Sequence, residues 1–415
     1  MNAINMKCLK CGKIHGLKQF YNCSNCGGIL QVQYSYNNFE KKFNYPVSDS
    51  VLKGITRFID LLPVEKDSFL TLGEGDTPLI KSHNLAERLG LKNLYLKNEG
   101  CNPTGSFKDR SMAVAVSKAV EFGAKTTIIS SSGNGGASAA SYSARAKMKS
   151  LVLVPVGTPI NKVNQAIIYG ANVVMVRGTY SNSFHVAKKA AKKYGWVNLT
   201  TTFLNPYVVE GNKTIAYEII QSMDAQVPDW VIVPVGDGPI LVGLWRGFLE
   251  LKENGIISKL PKLAGIQAER CSPVVTAFEN GESEVSPWLK DTDTIATGIA
   301  DTLEGYSQDG TLTLECIRRS NGYALSITEK EIWDSVVLLA VAEGVFSEPT
   351  GAVSIMGIKK MIAKGLITPK DTVVALITGN GLKHPVLPPS CSIQPPIIDD
   401  VDSLEDFAES FQKTS

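Results

Sequence analysis

Asn102-Pro-Thr-Gly-Ser-Phe-Lys108-Asp-Arg110 is the stretch on which the reading of this chain turns. Its NPTG is a turn former, and residues 106–122 then carry apolar Met112, Val116, Ala119 and Val120 at helical spacing. Lys108 therefore falls in the first turn of a helix. A cation there opposes the helix dipole at a cost of roughly 0.3–1 kcal/mol, which marks this lysine as a residue with another task. Burial and the positive helix end both lower an amine's pKa, so Lys108 is a candidate for Schiff-base chemistry with a carbonyl cofactor.

Outward from this helix, apolar β-rich runs alternate with helical periodicity from Thr71 onward. Strands are expected at 94–97, 126–130, 151–155, 173–177, 231–235, 263–267 and 373–378, with a further helix at 184–194. Such alternation predicts an α/β fold with a mainly parallel sheet. Small ligands of these sheets sit at the carboxyl ends of strands, where loops enter helix N-termini. Three Gly-rich segments have that form: SSSGNGGAS (130–138), VGDGPILVG (235–243) and TGNGLK (378–383), each after an expected strand. Any one is compatible with a tight turn; three together call for a polyanionic or cofactor ligand. GxxxxGK[ST] and a dinucleotide-type GxGxxG are both absent, which demotes nucleotide chemistry.

The first 26 residues hold four of the eight cysteines, as Cys8-x2-Cys11 and Cys23-x2-Cys26. Two CxxC knuckles, relaxed by Gly12, Gly27 and Gly28, can complete a tetrahedral four-thiolate shell suited to structural zinc with no open position. A disulfide pair or a metal-free ribbon is the alternative. His15, between the knuckles, is expected at the surface. Residues 40–70 read as a linker with a short helix. The end of the chain carries five prolines up to Pro396 and then acidic Asp399, Asp400, Asp402, Glu405, Asp406 and Glu409, and reads as a tail.

With 42 Lys+Arg against 40 Asp+Glu, the net charge of +2 offers no general field for nucleic acid or an anionic membrane. The longest uncharged stretch, 126–144, centres on SSSGNGGASAAS, too polar and glycine-rich to span a bilayer. No secretory h-region opens the chain, so a cytoplasmic protein with reduced cysteines is expected.

GSFKDR, together with GEGDTPL (73–79), SSGNGG (131–136), EGNKTIAYE (210–218) and TGNGLK, resembles the fold-type II pyridoxal-phosphate enzymes, most closely the threonine synthases. The resemblance covers residues 70–385 and includes the N-terminal ribbon. It implies a two-lobed α/β fold like the tryptophan synthase β chain: a zinc ribbon at 1–40, a large cofactor domain at 41–105 and 200–385, a small mobile domain at 106–199 and a Pro-rich acidic tail at 386–415. It further implies that Lys108, preceded by Phe107, forms the Schiff base with pyridoxal phosphate. Asn134 then meets the cofactor's 3-oxygen, Thr378 its pyridine nitrogen, and Gly236, Asp237, Gly238, Pro239 and Ile240 its phosphate. A hydroxyl at the pyridine nitrogen favours elimination and replacement over transamination. Ser131, Ser132, Gly133 and Gly135 would take the substrate carboxylate, and Lys162 of PINKVNQ would add positive charge there.

The pattern departs from the family at four places. Val208 stands where an arginine is expected before EGxKT, and Gly298-Ile-Ala-Asp-Thr302 replaces AIRxGNP without its arginine. Pro239 removes a donor from the phosphate loop while Asp237 adds a carboxylate, and Asn134-Gly135 lacks the hydroxyl of the family's GNT. Asp109 and Arg110 are expected to pair with each other, and Glu348 to form a structural turn. The implied activity is γ-elimination and β-addition of water on an activated amino acid such as O-phosphohomoserine, giving threonine and phosphate, in a homodimeric carbon–oxygen lyase. The alternatives are a re-purposed member catalysing another β/γ-elimination or replacement, such as a serine/threonine dehydratase or unusual amino acid synthase, and a non-catalytic cofactor-binding or ribbon interaction protein.

Overall fold

The computed structural model describes residues 2–18, 21–43, 53–383, 387 and 391. Its strands in chain order are β1 (Ala3–Cys8), β2 (Ile14–His15), β3 (Leu30–Tyr34), β4 (Leu79–Ser82), β5 (Asn93–Asn98), β6 (Thr126–Ser130), β7 (Lys149–Pro155) and β8 (Asn172–Val176). They continue with β9 (Val197–Asn198), β10 (Trp230–Pro234), β11 (Lys262–Ala268), β12 (Tyr323–Ile327) and β13 (Thr372–Ile377). Among the described residues these make three sheets. β2-β1-β3 is antiparallel, β8-β7-β6-β9 is parallel, and β12-β11-β10-β13-β5-β4 is parallel except for β4 at its edge.

Most of the expected strands form for the reason that singled them out, namely runs buried on both faces, whereas β8, at the edge of its sheet, leaves Val174 and Met175 exposed. Along β10, Val231 and Val233 pack with Leu241 and Leu244, whereas Ile232 packs on the opposite side with Ile355 and Ile358. Each fully buried Val, Leu or Ile contributes roughly 1.5–3 kcal/mol. The segment read as a linker carries the 3-10 helix Gly54–Leu61, whose Ile55, Phe58 and Leu61 are buried.

The order β10-β13-β5 at the middle of the large sheet matters most. Lys108 follows β5, the Gly236–Gly238 turn follows β10, and Thr378 follows β13, so three segments far apart in sequence emerge side by side at carboxyl strand ends. The small sheet sends its own carboxyl-end loops to the same place: Ser131–Asn134 after β6, Thr158 and Lys162 after β7, and Tyr180 after β8.

The N-terminal sheet docks on the body through buried ionic groups. Arg246 donates to Glu210 and to the Val32 carbonyl, Tyr34 donates to Glu210, and Lys213 lies 3.1 Å from both Tyr36 Oη and Glu250 Oε1. A second stretch, Pro385–Ser415, separates from Met1–His384. The tail reading falls on it, outside the described residues apart from Leu387 and Cys391.

Candidate active site

The helix Lys108–Glu121 begins at the lysine itself. Gly105, at φ 85°, turns the chain into it, and Asp109 in the first turn accepts from Thr104 N at 2.7 Å and Thr104 Oγ1 at 2.6 Å. The expected Asp109–Arg110 pair does not form, because consecutive helical residues point about 100° apart. Arg110 is instead wholly buried between two glutamates, with Nε 2.7 Å from Glu99 Oε2 and Nη1 2.6 Å from Glu218 Oε1. Lys97 lies 2.6 Å from the other Glu218 oxygen. Burial pushes the Glu218 carboxyl up, but the Arg110 and Lys97 charges outweigh it and hold the group below the ordinary carboxylate range.

Lys108 itself points the other way, into a cavity of about 250 Å³. Burial lowers its pKa, opposed by the charges of Asp237, Asp301 and Glu348. Phe107 lies under the amine, 4.6 Å away, and its own N–H donates to the Thr378 carbonyl at 3.1 Å. This main-chain bond ties the lysine turn to the end of β13.

All fourteen residues that the sequence singled out for cofactor and substrate line this one cavity. On the large-sheet side these are Phe107, Lys108, Gly236, Asp237, Gly238, Pro239, Ile240 and Thr378; on the other, Ser131, Ser132, Gly133, Asn134, Gly135 and Lys162. The helices Asn134–Arg145 and Pro239–Glu253 both start at its wall, so two positive dipole ends face it. Gly238 is irreplaceable in its turn: at φ 109°, a Cβ would stand 2.0 Å from Thr313 Oγ1. That hydroxyl donates to the Asp237 carbonyl at 2.6 Å. Asn134 Nδ2 donates to Glu348 Oε1 at 2.6 Å, so Glu348 faces the cavity as well as forming its turn. Burial lowers the pKa of Lys162.

Asp301 and Tyr180 also line the cavity, though neither belongs to one of the three Gly-rich segments. Tyr180 opens a helix directly after β8, and that strand-to-helix position is the signal by which it could have been found. Asp301 Oδ1 accepts from Tyr306 Oη at 2.7 Å and from Leu303 N at 3.0 Å. Asp237 Oδ1 accepts from Gly238 N at 3.1 Å, whereas its Oδ2 is buried without a partner among the described residues. Burial and the neighbouring Asp301 push the Asp237 carboxyl well up. Val208 does not reach the cavity; it is fully buried in the core beside Val114 and Tyr207.

The four N-terminal cysteines converge, their Sγ atoms all within 4.8 Å of one another. They are free thiols in two matching turns: Gly12 N donates to Cys8 O at 3.0 Å and Gly27 N to Cys23 O at 2.9 Å. A Cβ on Gly28 would stand 3.0 Å from Cys8 Sγ and 3.3 Å from Cys26 Sγ, so glycine keeps the cluster clear. The donor set fits a four-coordinate metal ion. His15, expected at the surface, is buried with Nε2 3.3 Å from Cys23 Sγ, because β2 lays it against the knuckle.

With this geometry in hand, the comparisons with known proteins agree. The family described as pyridoxal-phosphate dependent enzyme matches residues 70–379. Threonine synthase of Methanocaldococcus jannaschii is 41% identical over 385 residues, 91% of this chain and 93% of that protein. Threonine synthase of Methanosarcina acetivorans is 37% identical over 405 residues, 97% and 98% of the two chains. Among solved structures, the serine racemase of Dictyostelium discoideum superposes with a TM-score of 0.60 at 25% identity, covering 74% of this chain and 92% of the other. The chain belongs to the pyridoxal-phosphate dependent enzyme family, in its fold-type II α/β architecture. Within that family it is a threonine synthase-like lyase that uses pyridoxal phosphate. Among the described residues no helix is long and apolar enough to cross a membrane.

Proposed function

We propose that this enzyme carries out elimination and replacement on an α-amino acid bearing a leaving group at Cβ or Cγ. The form its relatives suggest is γ-elimination and β-addition of water on O-phosphohomoserine, giving threonine and phosphate. The observation that carries the reading is the Lys108 amine, buried and lowered in proton affinity, at a cavity walled by two helix N-termini and Thr378. These features fit the cofactor: an amine for its aldehyde, Asn134 for its 3-oxygen, the N–H groups of the Gly236–Ile240 turn for its phosphate and Thr378 for its ring nitrogen. Bound there, pyridoxal phosphate supplies an electron sink for bonds breaking at the substrate's α-carbon.

The protein's own groups do the rest. The amine of Lys108, freed by an incoming amino acid, takes and returns protons at Cα, Cβ and Cγ. Main-chain N–H groups of Ser131 to Gly135 hold the α-carboxylate at a helix N-terminus, with Lys162 beside them. Purified protein is expected to absorb near ~410–420 nm and to lose that band in Lys108→Ala. Phosphate release with threonine formation from O-phosphohomoserine then tests the substrate; no release at saturation overturns it. The second reading, a member re-purposed for another β/γ-elimination or replacement, is favoured by one observation: among the described residues no arginine lines the cavity, while Asp237, Asp301 and Glu348 do.

The wider assembly follows the same logic. The cysteine cluster holds structural zinc, residues 1–40 form its ribbon, and two lobes, 41–105 with 200–385 and 106–199, close on the cavity as a homodimer in the cytoplasm. Four thiols without a disulfide suit a reducing compartment. Metal content per chain and light scattering test zinc and dimer.

A further inference from the structure

The TGNGLK segment gives Thr378 to the cavity, but its last residue stands elsewhere. Lys383 ends the 3-10 turn Gly381–Lys383, outside the cavity lining. Its amine donates to the Thr104 carbonyl at 2.7 Å and to Gln165 Oε1. Gln165 in turn donates its Nε2 to the same Thr104 carbonyl at 3.0 Å. Three segments far apart in sequence thus close on one oxygen: the stretch after β13 of the large sheet, the turn that leads into Lys108, and the helix Ile160–Ile168 that follows β7 of the small sheet.

The two sides of this junction are not equally held. The lysine turn has other ties: Asn380 N donates to Gly105 O at 2.9 Å, Phe107 N to Thr378 O at 3.1 Å, and Asp109 accepts from Thr104 N and Oγ1. The helix Ile160–Ile168 packs inward through Val163 and Ala166, whereas its Ile160, Ile167 and Ile168 are exposed. Apolar packing is non-directional; the hydrogen bonds at Gln165 set how the helix stands about its axis. Lys162 lies one turn before Gln165, and residues three apart share a helix face. The face that Gln165 fastens is therefore the one that presents Lys162 to the cavity.

The chemistry of the Lys383 amine points the same way. Both of its partners are neutral oxygens, and holding so long a side chain in one geometry costs rotamer freedom. Burial lowers its pKa, opposed by the charges of Glu348 and Asp109. What the amine gains is placement, since hydrogen bonds from a charged donor are stronger than those between neutral groups.

We infer that Lys383 is a positioning residue for the substrate: by fastening Gln165 to the Thr104 carbonyl, it holds Lys162 at the cavity and so sets how tightly the amino acid binds. The inference rests on the proposed function for the ligand it names, an α-amino acid with its carboxylate at the Ser131–Gly135 turn.

The test uses the full-length holoenzyme and two readouts. In the first, Lys383→Met, which keeps the stem and removes the amine, is expected to speed amide hydrogen exchange in 160–168 about tenfold or more while leaving 108–121 as in wild type. The second is titration of the ~410–420 nm band with O-phosphohomoserine and with 2-aminobutyrate. Lys383→Met and Gln165→Met are each expected to keep the band and to bind both amino acids roughly tenfold more weakly, the effect of losing one hydrogen bond to a charged group. Lys162→Met should weaken binding by itself, and adding Lys383→Met to it should cost little more, because residues that act through one another are not additive. Wild-type affinity in Lys383→Met overturns the inference, as does unchanged exchange in 160–168 or full additivity with Lys162→Met. Should Lys383→Met fail to fold or lose the band, Gln165→Met decides by the same criteria. If neither amino acid perturbs the wild-type band, the proposed function itself fails, and the exchange of 160–168 still decides whether Lys383 fastens the helix.

Discussion

Arg110 shows how much of this site depends on residues that never touch it. Its guanidinium is buried between Glu99 and Glu218, on the far side of the helix that carries Lys108. Replacing Glu218 by Gln leaves Arg110 and Lys97 partly uncompensated, with an expected loss of roughly 3–5 kcal/mol, read as a lower melting temperature at neutral pH. Glu218 has a folded pKa below its unfolded value of about 4.3. Its stabilisation is therefore present above that pH and lost below it, so the gap between wild type and Glu218→Gln should narrow as pH falls below about 4. Asp309 has the opposite sign. Burial pushes its carboxyl to about 8, while Phe203 N donates to it at 3.0 Å. The native state keeps a proton that the unfolded chain loses above about 3.9. Stability from this group falls as pH rises from about 4 through about 8, and Asp309→Asn should flatten that part of the melting-temperature profile. Lys108 was legible in the sequence because a lysine opening a helix contradicts the dipole. Arg110's partners were not: Glu218 is 108 residues away and only the fold brings it near.

Among the elements, the loops at strand ends decide the site, and the helices behind them decide where the loops stand. The Lys108–Glu121 helix touches the turn at Gly211 main chain to main chain: a Cβ there would stand 1.9 Å from the Arg110 carbonyl oxygen. Gly211→Ala should force the two apart, lowering the melting temperature and weakening the ~410–420 nm band of the purified protein; an unchanged band and melting curve would refute this. The seven longer strands β5, β6, β7, β8, β10, β11 and β13 could be read from their apolar runs. β4 and β9 could not, being four and two residues long, and β12, YALSI after Gly322, lacks a continuous apolar run. Glycine loops announced the walls of the cavity, whereas Asp301 follows the short 3-10 turn Thr297–Ile299, outside the three Gly-rich segments.

At the scale of the whole molecule, the N-terminal sheet is joined to the catalytic body by charge buried inside it. Arg246 and Lys213 from the body meet Tyr34 and Tyr36 from the ribbon, with Glu210 and Glu250 between them. If the cysteine cluster holds the proposed zinc, stripping it with a chelator, or Cys8→Ser, should loosen the N-terminal sheet and strand these charges, lowering the melting temperature together with metal content. A melting curve indifferent to metal loss would make the ribbon an independent appendage. The cysteine spacing announced this module, but its docking surface was invisible in sequence because the partners lie more than 170 positions apart, as with Tyr34 and Glu210. The arrangement around Arg110 has a last consequence, for the history of such a protein. The turn that carries Lys108 is held from behind, through Arg110 on Glu99 and Glu218, and from the pocket side only by main chain, Phe107 N–H on the Thr378 carbonyl. Side chains of the pocket wall can therefore change without unseating the lysine, and a lineage can exchange one nutrient for another while keeping its place.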